Sequence, residues 1–336
     1  MSIENLNGKR EPLAERLPLQ VPFSISVTTA NICNLRCEYC AVSEKRKKRN
    51  KPLMDFETFR MAVDSMKDSG WHLKQIVLVG LGEPLLNPDI VRFVSYVKEI
   101  DIADKVNIVT NGTLLSREMV ISLLEAGIDV IRISVNGLSD EDYLKFTGKK
   151  IDYSRFKECI GFLFNNKRRN VKVYSKIMDY MIKTEERKKQ FFEEWEPISD
   201  VTNIEYLTFM SNTIDYEKSI GRVSREKGLK GFDMVKTSVC PLPFYHIYLN
   251  AEGTISACCV AGPWSTPPAL VMGDIHEQSI QEIWKGEKFR SFMRRMLLNG
   301  KDSADPVCKE CKAYLSYIYP EDNIESEAER IAKALE

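Results

Sequence analysis

The chain has 336 residues, 43% of them hydrophobic and 29% charged, which is enough for one large domain and a smaller one. Its 48 basic and 48 acidic side chains leave no net charge, so the composition does not favour a general nucleic-acid binder. No apolar run approaches the roughly 20 residues of a membrane span, and residues 1–20 lack the apolar centre of a signal peptide.

The first predicted strand, residues 21–29, leads into Cys33, Cys37 and Cys40 at the spacing C-x₃-C-x₂-C. Three thiolates within eight residues can hold three irons of a cubane 4Fe–4S cluster. No fourth cysteine follows nearby, whereas ordinary electron-transfer clusters have four cysteine ligands. The spacing therefore predicts a cluster with one iron open to a substrate or cofactor. Zinc is the alternative, but it needs four ligands and leaves Cys33 unexplained.

Strand and helix patterns alternate beyond this loop, which predicts βα units and a parallel sheet. Asp55 and Ser116 are predicted helix N-caps, and Asn87 is predicted to cap a helix with Pro88 at its first position. Predicted strands cover residues 75–79, 106–109, 130–135, 171–178 and 203–209, and helical patterns cover residues 140–146 and 153–166.

Short polar segments follow the second, third and fourth predicted strands. They are Gly82-Glu83-Pro84, Thr110-Asn111-Gly112 and Ile133-Ser134-Val135-Asn136-Gly137. Together with the cysteine motif C-x₃-C-x-Tyr-x-C, they span about 105 residues in a fixed order. This ordered set resembles the signature of the radical S-adenosylmethionine (radical SAM) superfamily.

The resemblance implies an α/β fold with a partial (β/α)₆ barrel over residues 21–210, preceded by an extension over residues 1–20. It implies that S-adenosylmethionine chelates the open iron through its amino and carboxylate groups. One-electron reduction would then release a 5′-deoxyadenosyl radical that abstracts a substrate hydrogen. The implied cofactor-binding residues are Tyr39, Gly82, Glu83, Pro84, Asn111 and Ser134.

Individual roles follow from the same resemblance. Gly82 and Glu83 would line the methionine amino group, and the backbone at Tyr39 would meet the adenine. Ser134 would help to hold the carboxylate or the ribose. Each residue also has a structural interpretation, because turns and strand ends use the same residue types.

Residues 211–239 are predicted to link the barrel to a second cysteine-bearing region, residues 240–315, and residues 316–336 to form a helical tail. The second region begins with a predicted hairpin over residues 245–258. Its segments Gly253-x₄-Cys258, Gly273-Asp274-Ile275 and Glu282-Ile283-Trp284 resemble the SPASM/twitch extension of radical SAM enzymes. The resemblance implies a small α+β domain that holds an auxiliary cluster.

By this resemblance Cys240, Cys258, Cys308 and Cys311 would ligate the auxiliary 4Fe–4S cluster. No cysteine follows Cys311, so the count supports one auxiliary cluster. A structural zinc with the same four ligands is the alternative. Cys259 should face away from Cys258 if both lie on a strand, and it is the true ligand, a spare thiol or a hydrogen donor.

An auxiliary cluster without an open iron suits electron transfer, so the expected reaction is dehydrogenation of a secondary alcohol in a sugar, aminocyclitol or similar polyol. The expected partners are this small molecule and a flavodoxin- or ferredoxin-type reductant, without nucleic acid or membrane. Nine cysteines without a secretion signal predict a cytoplasmic location.

Three other functions stay open. Modification of a peptide or protein is one, although only about twenty residues precede the first strand, fewer than a leader-binding domain needs. Epimerisation is another, with Cys259 returning a hydrogen to the opposite face. A non-enzymatic iron–sulfur or zinc scaffold is the last, and the polar segments after the strands disfavour it.

Overall fold

The computed structural model describes residues 11–40, 51–210, 214–221, 223–258 and 267–336. The strands are β1 (Ser24–Thr28), β2 (Gln75–Val79), β3 (Val106–Thr110), β4 (Val130–Val135), β5 (Lys172–Met178), β6 (Val201–Glu205), β7 (His246–Leu249), β8 (Thr254–Ser256) and β9 (Val271–Asp274). The helices are α1 (Phe56–Asp68), α2 (Ile90–Ile100), α3 (Arg117–Glu125), α4 (Asp140–Thr147), α5 (Tyr153–Asn166), α6 (Glu185–Trp195), α7 (Tyr216–Ile220), α8 (Ile280–Lys285), α9 (Glu287–Asn299), α10 (Lys301–Ala304), α11 (Pro306–Lys309) and α12 (Ala328–Ala334). Short 3₁₀ helices are Leu13–Arg16, Pro84–Leu86, Asp179–Met181, Glu196–Ile198, Leu242–Phe244, Pro268–Leu270, Ala313–Ser316, Pro320–Asp322 and Glu325–Glu327.

These strands form one nine-stranded sheet of order β6-β5-β4-β3-β2-β1-β7-β8-β9. Strands β1 to β6 pair in parallel with their neighbours in the chain, and helices connect them, which gives the partial barrel. Strand β7 pairs in parallel with the free side of β1, and β8 and β9 continue antiparallel. The predicted α/β partial barrel is confirmed, and the C-terminal hairpin extends the same sheet.

Helix starts follow from local hydrogen bonds. The carboxylate of Asp55 accepts a bond from the Thr58 amide at 2.7 Å, which confirms this cap. The prediction that Asn87 caps a helix is wrong, because α2 begins at Ile90. The Asn87 side chain donates instead to the carbonyls of Thr29 and Met54, both at 2.8 Å, so it braces the end of β1.

The two faces of the barrel strands differ in polarity. Alternate residues such as Ile25, Ile76 and Ile131 pack against the helices in the hydrophobic core. Between them lie buried polar residues that face the barrel interior: Ser24, Ser26, Thr28, Gln75, Asn107 and Arg132. The same face also carries the buried residues Val77, Val79 and Val130, so the interior of the barrel is partly polar.

The last barrel strand is shorter than predicted. Strand β6 ends at Glu205, whereas the prediction extended to residue 209. The amide of Tyr206 donates to the Leu229 carbonyl at 2.8 Å, and the amide of Leu207 donates to the Asp179 carboxylate at 2.9 Å. These bonds replace the ladder, so the chain leaves the sheet there.

The C-terminal helices pack back onto the start of the chain. The indole of Trp284 donates to the Leu19 carbonyl at 3.3 Å, and the amide of Ile280 donates to Ser65 Oγ at 2.8 Å. Nowhere in the described ranges does a helix have the length and apolarity that crossing a bilayer requires.

Candidate active site

The three-cysteine loop lies at the carboxyl end of β1 and is fixed to α4. The amide of Arg36 donates to the Thr147 carbonyl at 2.9 Å, and the amide of Glu38 donates to the Phe146 carbonyl at 3.1 Å. Within the loop, the amide of Cys40 donates to the Cys37 carbonyl at 3.0 Å, which forms a tight turn. The loop therefore occupies the edge where parallel α/β folds place their sites.

The three thiols are close enough to influence one another's ionisation. Burial raises the pKa of Cys33 to about 11, and the charges of Glu83 and Cys40 add to this effect. Burial also raises the pKa of Cys37, with further contributions from Cys40 and Cys33. Across the described ranges, no three His, Cys, Asp or Glu side chains converge to hold a single metal ion. Neighbouring thiols that do not converge on one point are compatible with a cubane, in which each thiolate meets a different iron.

The Gly82-Glu83-Pro84 segment runs directly beside the start of the cysteine loop. The amide of Gly82 donates to the Ala30 carbonyl at 3.0 Å, and the amide of Glu83 donates to the Ile32 carbonyl at 2.8 Å. A Cβ atom at position 82 would lie 2.0 Å from the Ile32 carbonyl oxygen. Only glycine permits this approach, so Gly82 sets where the loop begins.

Replacing Gly82 by alanine is expected to lower the free energy of unfolding by about 1–3 kcal/mol, because the new methyl group overlaps the backbone of Ile32. Urea unfolding measures the change. Gly161 in α5 is the control, since its nearest neighbour would be Ile198 Cγ2 at an ordinary 3.6 Å. Alanine at 161 should be neutral or stabilise by up to about 1 kcal/mol. Equal losses in the two variants would contradict this interpretation of Gly82.

Glu83 joins the ends of β2 and β3. Its side chain is 2% exposed and accepts hydrogen bonds from the Thr110 hydroxyl, the Asn111 amide at 2.8 Å and the Leu85 amide at 3.1 Å. Burial raises the pKa of Glu83, although these three bonds act in the opposite direction. The contact of Gly82, Glu83 and Pro84 with a methionine amino group stays a prediction.

A network of amide and hydroxyl groups surrounds Cys33. Asn111 Nδ2 donates to Asn34 Oδ1 at 2.9 Å and lies 3.9 Å from Cys33 Sγ. Thr113 Oγ1 donates to Asn111 Oδ1 at 2.6 Å and accepts from Asn34 Nδ2 at 2.8 Å. The sequence reasoning missed Asn34 and Thr113, although their position inside or beside the motifs was a signal.

Tyr39 connects the cysteine loop to the carboxyl end of β4. Its hydroxyl donates to Asn136 Oδ1 at 3.0 Å, and Asn136 Nδ2 donates to the Ser134 carbonyl at 2.9 Å. The four predicted segments thus meet at one rim of the barrel. The structure brings the predicted cofactor-binding residues together there, and their individual contacts with a cofactor stay predictions.

Two charged residues at this rim were missed by the sequence reasoning. Lys176 on β5 lies 2.7 Å from Glu205 on β6, and their side chains are 18% and 2% exposed. Burial raises the pKa of Tyr39, and the charge of Glu205 is among the further causes, which places Glu205 near the cysteine loop. The signal was a charged residue near the carboxyl end of a predicted barrel strand.

The second group of cysteines lines a separate cavity, which we call the auxiliary pocket. Cys240, Cys258, Cys308 and Cys311 line this one small pocket together. Burial raises the pKa of Cys240 well above its usual range, with added contributions from the other three thiols. Four neighbouring thiols fit a complete cubane. Cys259 lies outside the described residues.

The auxiliary pocket and the three-cysteine loop lie at opposite ends of the barrel strands. Cys240 precedes β7, which runs parallel to β1, and Cys258 follows the antiparallel β8. Both cysteines therefore lie toward the amino end of β1, whereas Cys33 follows its carboxyl end.

Two family profiles match the chain. Residues 27–190 match the radical SAM superfamily, and residues 240–312 match the SPASM iron–sulfur cluster-binding domain. Molybdenum cofactor biosynthesis protein 1 of Drosophila melanogaster is 30% identical over 156 residues, which are 44% of this chain and 27% of that protein. GTP 3′,8-cyclase of Chlorobaculum tepidum is 34% identical over 142 residues, which are 42% of this chain and 41% of that enzyme. The chain thus spans less than half the length of these relatives.

Solved structures share the fold over most of the chain. BtrN in complex with AdoMet and 2-DOIA has a TM-score of 0.53 at 20% identity, covering 87% of this chain and 93% of that one. Streptococcus suis SuiB bound to the precursor peptide SuiA has a TM-score of 0.59 at 16% identity, covering 81% of this chain and 66% of that one. Native anSMEcpe with bound AdoMet has a TM-score of 0.57 at 15% identity, covering 94% of this chain and 96% of that one. At these identities the likeness concerns the fold.

Proposed function

Because the chain belongs to the radical SAM superfamily and carries a SPASM iron–sulfur domain, we propose that it dehydrogenates a secondary alcohol of a sugar- or aminocyclitol-type substrate. These domains imply 4Fe–4S clusters and S-adenosylmethionine. Cys33, Cys37 and Cys40 would hold the first cluster, and the four cysteines of the auxiliary pocket the second. When bound, the cofactors supply hydrogen-atom abstraction by a 5′-deoxyadenosyl radical and an acceptor for the one electron that remains.

The auxiliary pocket is the observation that carries the proposal. Its four thiols would complete the ligand set of a cubane, which would leave no iron to bind a substrate. A cluster of this kind suits electron transfer, and oxidation of an alcohol to a ketone requires an electron acceptor. Buried polar side chains on the interior face of the barrel strands, such as Ser26, Asn107 and Arg132, support a hydroxyl-rich small molecule as substrate.

Within this proposal Glu205 accepts the hydroxyl proton of the substrate. Its carboxylate is buried at the rim beside the three-cysteine loop, and Lys176, 2.7 Å away, stabilises its charge. The carbinol hydrogen leaves as an atom, the hydroxyl hydrogen leaves as a proton to Glu205, and one electron remains for the auxiliary site. These three losses account for the two hydrogens that separate an alcohol from its ketone.

Replacing Glu205 by glutamine is expected to lower ketone formation about 10²–10⁴-fold, because the amide cannot accept the proton. Formation of 5′-deoxyadenosine should persist, so the ratio of the two products is the measurement. Asp200→Asn is the matched control, since Asp200 directly precedes β6 at its other end. An unchanged product ratio in Glu205→Gln would remove Glu205 from this role.

The substrate class is tested by mass spectrometry with reconstituted protein, S-adenosylmethionine, dithionite and a panel of polyols and aminocyclitols. We expect a product two hydrogens lighter than its substrate. Modification of a precursor peptide, consumption of GTP, or deuterium uptake from D₂O at unchanged oxidation state would each replace dehydrogenation by another reaction. We propose a flavodoxin- or ferredoxin-type reductant and a cytoplasmic location, where reducing conditions keep thiols available for metal.

A further inference from the structure

The aliphatic part of the Lys301 side chain contributes to the apolar lining of the auxiliary pocket. Apart from the four cysteines, the other described lining residues are apolar or aromatic: Leu242, Pro243, Ala257, Leu270, Phe292, Met296, Val307 and Tyr314. The Lys301 side chain is 18% exposed. Its ammonium group lies outside this apolar lining, beside the turn that carries Cys308 and Cys311.

The backbone holds Lys301 in this position. Helix α9 ends at Asn299, and Gly300 turns the chain with a φ of 68°, a conformation that favours glycine. The amide of Lys301 then donates to the Ser238 carbonyl at 2.7 Å. The side chain is therefore directed by a fixed turn that is also tied to residue 238, close to Cys240.

The ammonium group contacts the cysteine-bearing turn itself. Lys301 Nζ donates to the Lys309 carbonyl at 3.0 Å, and Lys309 lies between Cys308 and Cys311. It also donates to Asp302 at 2.7 Å, but the Asp302 side chain is 69% exposed, so water and salt screen its charge.

We propose that Lys301 raises the reduction potential of the auxiliary cluster by stabilising its reduced, more negative form. Reduction adds one negative charge to a group held by four thiolates, and a fixed cation nearby favours that charge most strongly in an apolar cavity.

This inference rests on the proposed cluster at the four cysteines. The test is an EPR-monitored redox titration of the reconstituted full chain, in which the signal that S-adenosylmethionine leaves unchanged reports the auxiliary cluster. Lys301→Met is expected to lower the ratio of reduced to oxidised cluster about tenfold at a fixed potential, which is about 59 mV for one electron. Lys301→Arg keeps the charge and should stay near the wild-type potential.

Lys309→Met is the matched control, because Lys309 is exposed and its side chain does not line the pocket. Asp302→Asn removes the counter-charge without changing the pocket lining, so the potential should rise. An unshifted potential in Lys301→Met, a shift equal to that of Lys309→Met, or a fall in Asp302→Asn would each overturn the inference. Iron analysis distinguishes a failure of the proposed cluster from a failure of this inference. About four irons per chain in the wild type would refute the auxiliary cluster, whereas about eight irons with an unshifted potential would refute only the role of Lys301.

Discussion

Replacing Cys240 by alanine is expected to lower the iron content of the reconstituted protein from about eight to about four per chain, because the auxiliary pocket loses a ligand. Formation of 5′-deoxyadenosine should continue, since the three-cysteine loop lies at the opposite end of the barrel strands. Net oxidation of the substrate should fall to background, because the remaining electron has no acceptor. Iron analysis, nucleoside quantification and product mass measure the three outcomes in one sample.

Cys159 provides the matched control for this substitution. It is a half-buried cysteine in α5, and it lines neither the auxiliary pocket nor the three-cysteine loop. Cys159→Ala should keep about eight irons and both activities. Loss of 5′-deoxyadenosine formation in Cys240→Ala, with the iron of the first loop intact, would contradict the separation of the two sites. Full oxidation activity in that variant would remove the electron acceptor from the proposal.

Replacing Cys37 by alanine is expected to abolish the function of the three-cysteine loop and to leave the auxiliary pocket intact. The first loop would keep two of its three thiols, so 5′-deoxyadenosine formation should fall to the level of dithionite and cofactor without protein. The auxiliary pocket should retain about four irons per chain. Chromatographic quantification of 5′-deoxyadenosine and iron analysis of the same preparation test both expectations.

A graded comparison strengthens the test of Cys37. Asn34→Ala keeps all three thiols but removes the side chain that accepts from Asn111 and donates to Thr113. We expect this variant to lose about 10–100-fold in 5′-deoxyadenosine formation, the usual effect of removing a residue that supports a metal ligand. Cys37→Ala should therefore be clearly worse than Asn34→Ala. If the two losses are equal, or if Cys37→Ala retains activity, the assignment of Cys37 as a ligand is wrong.

The barrel was predictable because local signals and their order agree. Short apolar runs predicted β2 and β4 at their observed bounds, and helix α5 begins and ends where predicted. Polar residues after consecutive strands predicted a shared site, since parallel strands end at one edge. The predictions failed where a side chain found a distant partner. Asn87 resembles a cap, but it braces residues that are 58 and 33 positions away in the chain.

The pair of Lys176 and Glu205 shows what a single sequence does not reveal. The two residues are 29 positions apart, and each could have faced solvent at a strand end. Only the register between β5 and β6 brings their side chains together. The pairing of β7 with β1 is a similar case, because 222 residues separate Ser24 from His246, whose ring nitrogen lies 2.6 Å from the serine oxygen.

That parallel pairing has a consequence for electron flow. Ser24 to Val27 are hydrogen-bonded in register with His246 to Leu249, and a strand of five residues such as β1 spans about 17 Å. The two redox centres proposed for this chain would therefore be held at opposite ends of a rigid spacer. Their separation would stay constant through turnover.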